Sequence, residues 1–167
     1  MKECVLVVVK PDGTVKGIIG EILSRFLQAG LEVVGAKVIT VPREKAKEHY
    51  GHLKDKPFYN QTVDYLTGKF HGNSKAMALV FMGEDAVRVS RDLAGATDPR
   101  QADSSTIRGA FGRIARDGLF ENVVHVSSDA AEARREIMLW FEPNEIAVEI
   151  YPVRKSWAFV TTRTVWV

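Results

Sequence analysis

A single cysteine, Cys4, stands in the whole chain, so no internal disulfide can staple it and a reducing compartment is permitted. Long apolar runs are scarce too. The first, Cys4–Val9, is too short for a signal peptide or a membrane span and is cut by Lys10-Pro11-Asp12, which makes the cytoplasm the expected location. Charge of one sign is not concentrated: 23 Lys and Arg against 21 Asp and Glu leave +2, enough for an anionic ligand but short of a dedicated nucleic-acid footprint. Gly-x-Gly-x-x-Gly is missing, which removes the dinucleotide fingerprint. Gly30-Leu-Glu-Val-Val-Gly35-Ala-Lys37 fails as a Walker A loop, because no Lys directly follows the second glycine and valines stand where a phosphate cradle would be. Arg108-Gly-Ala-Phe-Gly112 echoes an RNA-recognition motif without its aromatic platform. His49-Tyr50-Gly51-His52 has neither the spacing nor the cysteine pair of a zinc motif, and no metal site is expected from protein side chains.

What is present reads as alternating strands and helices. Cys4–Val9 is β-branched throughout and suits a strand buried on both faces, ending in the turn signal Lys10-Pro11-Asp12-Gly13. Ile18, Ile19, Ile22, Leu23 and Phe26 follow helical spacing, with Gly30 as a C-terminal cap. Leu31–Val41 predicts a second strand; Arg43–Tyr50 and Pro57–Leu66 predict helices. Thr67–Lys75 is a loop, Ala76–Met82 a third buried strand, Glu84–Leu93 a helix, and Gly95–Asp103 is rich in turns. A fourth strand holds His125 in its valine-rich run, then a helix runs over Asp129–Phe141, and the tail to Val167 looks β-rich. The order matches an α+β, ferredoxin-like βαββαβ sandwich: a four-stranded antiparallel sheet, helices on one face, further helices added. No repeat or linker divides the 167 residues, so one domain, 1–167, is expected.

The chemistry gathers at Asn122-Val-Val-His-Val-Ser-Ser-Asp129. His125 sits where a valine-rich strand gives way to a helix that Asp129 would cap and Glu132 would complete as a capping box. Glu136 lies one turn beyond Glu132, on the same helix face. An imidazole can accept a phosphoryl group when one ring nitrogen is free and the other is held. Lys10, Arg91 and Arg108 are available cations for phosphates, Thr97 and Asn122 add polar groups, and Tyr50 and Phe58 bring aromatic faces suited to stacking on a base.

In order along the chain, Val7-Val-Val-Lys-Pro-Asp12, Gly17-Ile-Ile-Gly-Glu-Ile22, Glu48-His-Tyr50, Lys56-Pro-Phe58, Gly95-Ala-Thr-Asp-Pro99, Thr106-Ile-Arg-Gly109, Asn122-Val-Val-His-Val-Ser127 and Glu136-Ile137 resemble the motifs of the nucleoside diphosphate kinases, over roughly residues 3–157. The resemblance implies transfer of the terminal phosphate of a nucleoside triphosphate to a nucleoside diphosphate by a ping-pong route through phospho-His125. It implies that Glu136 with Ser127 fixes the ring. Lys10, Tyr50, Arg91, Thr97 and Arg108 would hold phosphates, Asn122 with Lys10 the ribose, and Phe58 the base. Mg2+ would be carried by the nucleotide phosphates. A homo-oligomer is implied, a hexamer first, with a tetramer or dimer as alternatives; about residues 142–167 would form a C-terminal extension packing on the domain or on a neighbouring subunit. No membrane or specific nucleic-acid partner is expected.

Departures from the family pattern are local. Val126 stands where Gly usually follows the histidine, with Ser128-Asp129 for Asp-Ser. Ser104-Ser105 replaces Pro-Gly, and Thr67–Lys75 and Ile114–Glu121 are longer than usual, which leaves the residue opposite the base unassigned. Two competing readings are a nucleotide sensor or scaffold of reduced turnover, supported only by Val126 and the altered loops, and a nucleic-acid binder on the same fold.

Overall fold

The computed structural model describes residues 2–115 and 118–155. Its framework is a four-stranded antiparallel sheet made of β1 (Lys2–Val9), β2 (Glu32–Thr40), β3 (Lys75–Glu84) and β6 (Val124–Val126), in the order β2-β3-β1-β6. β1 lies in the interior of the sheet, and Val5 to Val9 have no exposed surface. Odd and even residues of a strand face opposite sides, so each side needs its own cover. On one face Val5, Val7 and Val9 meet Ile22 and Phe26 of α2 (Ile19–Gln28) and Ala86 and Val87 of α5 (Ala86–Ala94). On the other, Leu6 and Val8 meet Ala46 of α3 (Arg43–His49), Val63 and Leu66 of α4 (Tyr59–Leu66), and Ile137 and Trp140 of α7 (Ala130–Trp140). The expectation of helices on one face thus holds for α2 and α5, and the added helices close the second face. That second layer is why β1 carries no polar alternation.

Four short elements lie where the sequence suggested a turn or assigned no element. Pro11 opens α1 (Pro11–Val15), a position whose missing N–H costs a helix nothing. Thr106 caps α6 (Ile107–Phe111) by accepting from the Gly109 N–H at 3.2 Å. β4 (Arg113–Ile114) and β5 (Phe120–Glu121) pair as a separate antiparallel hairpin. The fourth strand is shorter than the sequence implies: it begins at Val124, because Val123 adopts φ +56°.

The β-rich tail is corrected in its described part. Residues 142–155 contain a 3-10 turn at Pro143–Glu145 and one isolated bridge, Gly35↔Ile146, but no strand. Pro143 and Pro152 each lack a ladder donor. This stretch runs along β2 of its own domain: the Ala147 N–H donates to the Val34 carbonyl at 2.7 Å, and Ile146, Ile150 and Tyr151 pack on the second core. Expectations for residues 156–167 lie outside the described residues.

Candidate active site

β6 is short, yet its register is pinned. Val8 of β1 pairs with His125, and the Leu6 N–H donates to Ser127 Oγ at 3.2 Å. Strand alternation then sends His125 to the α3/α4/α7 side and Val126 to the opposite side, into the core with Val7, Val9 and Ala133. Val126 also lines the cavity beside His125. The substitution for glycine is absorbed by packing.

Asp129 caps α7 by accepting from the Glu132 N–H at 2.9 Å. Glu132 does not reach back as a capping box would; its carboxylate is held by Arg135 at 2.7 Å, an ion pair that draws it off the helix start. One turn later Glu136 is buried, and His125 Nε2 lies 2.9 Å and 3.0 Å from its two oxygens. Ser127 Oγ donates to the same carboxylate at 2.6 Å. The ring therefore presents Nε2–H to Glu136, which leaves Nδ1 as the lone-pair nitrogen. Burial, reinforced by Lys10 and Arg108, lowers the His125 pKa well below its ordinary 6.5, so the imidazole is neutral at pH 7. Burial pushes the Glu136 carboxyl up, against the pull of His49, Ser127 and Arg135.

His49, quoted in the Glu48-His-Tyr50 motif but given no role there, is a member of this group. It is fully buried, its ring centroid lies 4.3 Å from that of His125 at 79°, and its Nδ1 accepts from Trp140 Nε1 at 3.2 Å. The Trp140 hydrogen bond assigns the His49 proton to Nε2, a buried atom with no partner among the described residues. Burial and the neighbouring His125 lower its pKa as well, so it stands against His125 as a neutral ring. The signal that could have found it is Trp140, whose indole N–H needs an acceptor when buried. His49, His125 and Glu136 also offer ligand atoms within 4.8 Å of one another, as a metal site would. Both carboxylate oxygens, however, are already taken up by the imidazole and Ser127.

The remaining groups line one cavity of about 580 Å³ that opens beside His125. Lys10, at the end of β1, is 5 % exposed and hydrogen-bonds through Nζ to Asn122 Oδ1; Asn122 Nδ2 in turn donates to the Thr97 carbonyl at 2.8 Å. Burial, partly offset by Asp12 and reinforced by Arg108, lowers the Lys10 amine to about 7. Arg108 of α6 donates to the carbonyls of Gly95 at 2.8 Å and Val124 at 3.1 Å, and burial next to Arg91 lowers it to about 10. Tyr50 is buried at the end of α3, and burial raises its phenol, which stays protonated. Arg91 lines the wall from α5, and Phe58, 47 % exposed, lines the mouth at the start of α4. Every site residue expected from the sequence except Ser127 and Glu136 lines this cavity, and those two stand directly behind His125.

A strained backbone holds the parts together. Val123 is β-branched and at φ +56°, a conformation costing roughly 1–3 kcal/mol. Its N–H donates to Asp12 Oδ2 at 3.1 Å and its carbonyl accepts from the Lys10 N–H at 2.8 Å. Gly13 lets this approach happen, since a Cβ there would meet Val9 at 2.8 Å and the Val123 carbonyl at 3.1 Å. The kink sets Asn122 toward Lys10 on one side and His125 toward Glu136 on the other.

The family model described as nucleoside diphosphate kinase matches residues 3–146, most of the chain. The chain belongs to the nucleoside diphosphate kinase family. A relative from Pyrococcus horikoshii, named nucleoside diphosphate kinase, is 43 % identical over 157 residues, covering 94 % of this chain and 95 % of the relative. Among solved structures, a halophilic nucleoside diphosphate kinase from Halobacterium salinarum in complex with CDP is 38 % identical with a TM-score of 0.79, covering 87 % of this chain and 91 % of that one. A nucleoside-diphosphate kinase from Borrelia burgdorferi with bound vanadate and ADP, a transition-state mimic, is 33 % identical with a TM-score of 0.79, covering 92 % and 93 %. Family membership accounts for the four-stranded sheet with helices and for the ordered motifs. It agrees with a cavity lined by Lys10, Arg91 and Arg108.

Proposed function

We propose that the cavity carries out the family's reaction, transfer of the γ-phosphate of a nucleoside triphosphate to a nucleoside diphosphate, with His125 Nδ1 as the nucleophile. The observation that carries the residue assignment is the His125–Glu136–Ser127 arrangement, which ties up Nε2 and leaves Nδ1 unprotonated beside the cations. Nδ1 attacks the γ-phosphorus, an N–P bond forms, and the bond from phosphorus to the β-phosphate oxygen breaks. The nucleoside diphosphate leaves, and a second one takes the phosphoryl group back by the reverse step. Lys10, Arg91 and Arg108 neutralise phosphate charge, Tyr50 and Thr97 hold phosphate oxygens, and Asn122 with Lys10 meets the ribose. The reaction needs little from protein beyond positioning and charge. Phe58 stacks on the base without reading its edges, consistent with breadth of substrate. His49 fixes the plane of the His125 ring.

Magnesium enters as part of the substrate. No carboxylate lines the cavity among the described residues, and the donors there are cations suited to the phosphates rather than to the metal. We further propose a single domain, a homo-oligomer with the hexamer first, and a cytoplasmic setting; sedimentation of the purified chain decides the assembly. No helix among the described residues is long and apolar enough to cross a membrane.

The test is a single turnover with γ-labelled ATP and magnesium, followed by denaturation. Acid-labile, base-stable label on the chain, missing in His125→Ala and chased onto GDP, is the expected result. Bound ATP without label would overturn it in favour of a sensor.

A further inference from the structure

His71 and Glu121, fifty residues apart, meet each other in the fold. His71 Nε2 lies 3.3 Å from Glu121 Oε1, with both side chains almost fully buried (8 % and 7 % exposed). Glu121 also receives two hydrogen bonds from Arg113 across the β4–β5 hairpin, and Lys16 Nζ stands 3.6 Å away. Lys16 is itself fastened to the Phe111 carbonyl at 3.0 Å. Burial alone would push the Glu121 carboxyl up; Arg113, His71 and Lys16 together hold it below the usual range, so it is ionised at pH 7. Tyr65 completes the connection, its ring 5.3 Å from that of His71 and 4.5 Å beneath Lys10 Nζ.

The place of Glu121 in the chain gives this cluster its consequence. The two residues before it, Leu119 and Phe120, line the cavity on the hairpin side, and the residue after it, Asn122, is the hydrogen-bond partner of Lys10. Resting on the kinase reading above, we propose that Glu121 is a positioning residue. Gripped by His71, Lys16 and Arg113, it holds the hairpin wall and Asn122 in place together, so that nucleotide affinity depends on the latch while phosphoryl transfer at His125 does not. A charge-assisted hydrogen bond in a buried site is strong enough to fix a loop that two flanking residues alone would leave to fluctuate.

His71→Ala removes one arm and leaves Glu121 paired with Arg113 and Lys16, so the fold is retained; Glu121→Gln removes the charge that all three arms share. Two measurements apply to both variants: the Kd for ADP by calorimetry, and the split between KM for the nucleoside diphosphate and kcat. The expected result is a weakening of ADP binding and a rise in KM of about tenfold for His71→Ala. Glu121→Gln gives a larger shift, kcat stays within about twofold, and the double variant is no worse than Glu121→Gln alone because both act through one contact. An unchanged Kd for ADP would overturn the proposal. So would a fall in kcat and melting temperature at constant KM, which marks a purely structural ion pair. Because ADP binding is read without turnover, failure of the latch is distinguishable from failure of the kinase reading, which shows instead as a wild-type chain that takes no label.

Discussion

The two ends of the cavity are built differently. Around His125 the groups come from a core strand and from helices packed on it: Ser127 follows β6, Glu136 and Trp140 sit on α7, and His49 ends α3. Glu136, Ser127 and His49 are buried, and each touches His125 or its partner. At the far end, Phe58 begins a helix and is half-exposed, and Leu119 and Phe120 belong to a short hairpin outside the main sheet. Phosphoryl transfer demands a ring held to within a fraction of an ångström. Accepting many bases demands only a flat apolar face and a wall. The buried end therefore encloses His125, and the more exposed end is a helix start beside a two-stranded hairpin.

This contrast breaks most sharply at the nucleophile. His125→Ala should abolish label transfer while ADP binding, measured by calorimetry, stays near the wild-type value; joint loss of both would mean the buried end also holds the more exposed one. Next in size, Glu136→Gln should slow phosphoenzyme formation on the order of a hundredfold in rapid-quench measurements, because an amide still bonds the ring but no longer favours its Nε2–H tautomer. An unchanged rate would remove Glu136 from the mechanism. At the other end, Phe58→Ala should weaken ADP and CDP binding alike by about tenfold, the loss of one stacked base. A loss confined to one base would mean that the wall reads base identity.

Two pH effects sharpen the comparison further. Lys10 is lowered to about 7 and regains its charge beside a bound phosphate. Nucleotide binding at pH 8 should thus take up a proton and binding at pH 6 none, seen as a buffer-dependent enthalpy. His49 and His125 are both lowered below their ordinary 6.5. As the pH falls through that value the unfolded chain gains protons that the folded chain refuses, so stability should decline with acid below about pH 6.5 in urea melts. His49→Phe, which keeps a ring and removes one titrating group, should flatten part of that decline.

Much of the fold was legible because its signals are periodic. β1 reads as five consecutive buried positions, and α2 shows an apolar stripe at helical spacing. The elements that were not legible are too short to show a period: α6 has five residues, and β4 and β5 two each. Val123 is the opposite case, a residue whose local preference is extended and which tertiary contacts from Asp12 and Lys10 force to positive φ. The valine run around His125 thus looked like one strand and is a kink at Val123 followed by a strand. The residues expected to line the cavity, Arg91 apart, were picked out through ordered motifs. His49 sat in one of those motifs without a role, because nothing near it in the sequence shows the tryptophan that will meet it.

The sequence by itself determined which side chains are available: the periodicities that build two faces of helix around one sheet, the ordered motifs, and the identity of His125, Glu136 and the three cations. Tertiary structure alone decided which ring nitrogen is free, that His125 is neutral and Lys10 near its titration point, and that Glu121 gathers His71 and Lys16 from distant parts of the chain. The reason is physical. Patterning depends on neighbours in the chain, whereas protonation state, tautomer and ion pairing depend on burial and on distances of about 3 Å between groups far apart in sequence.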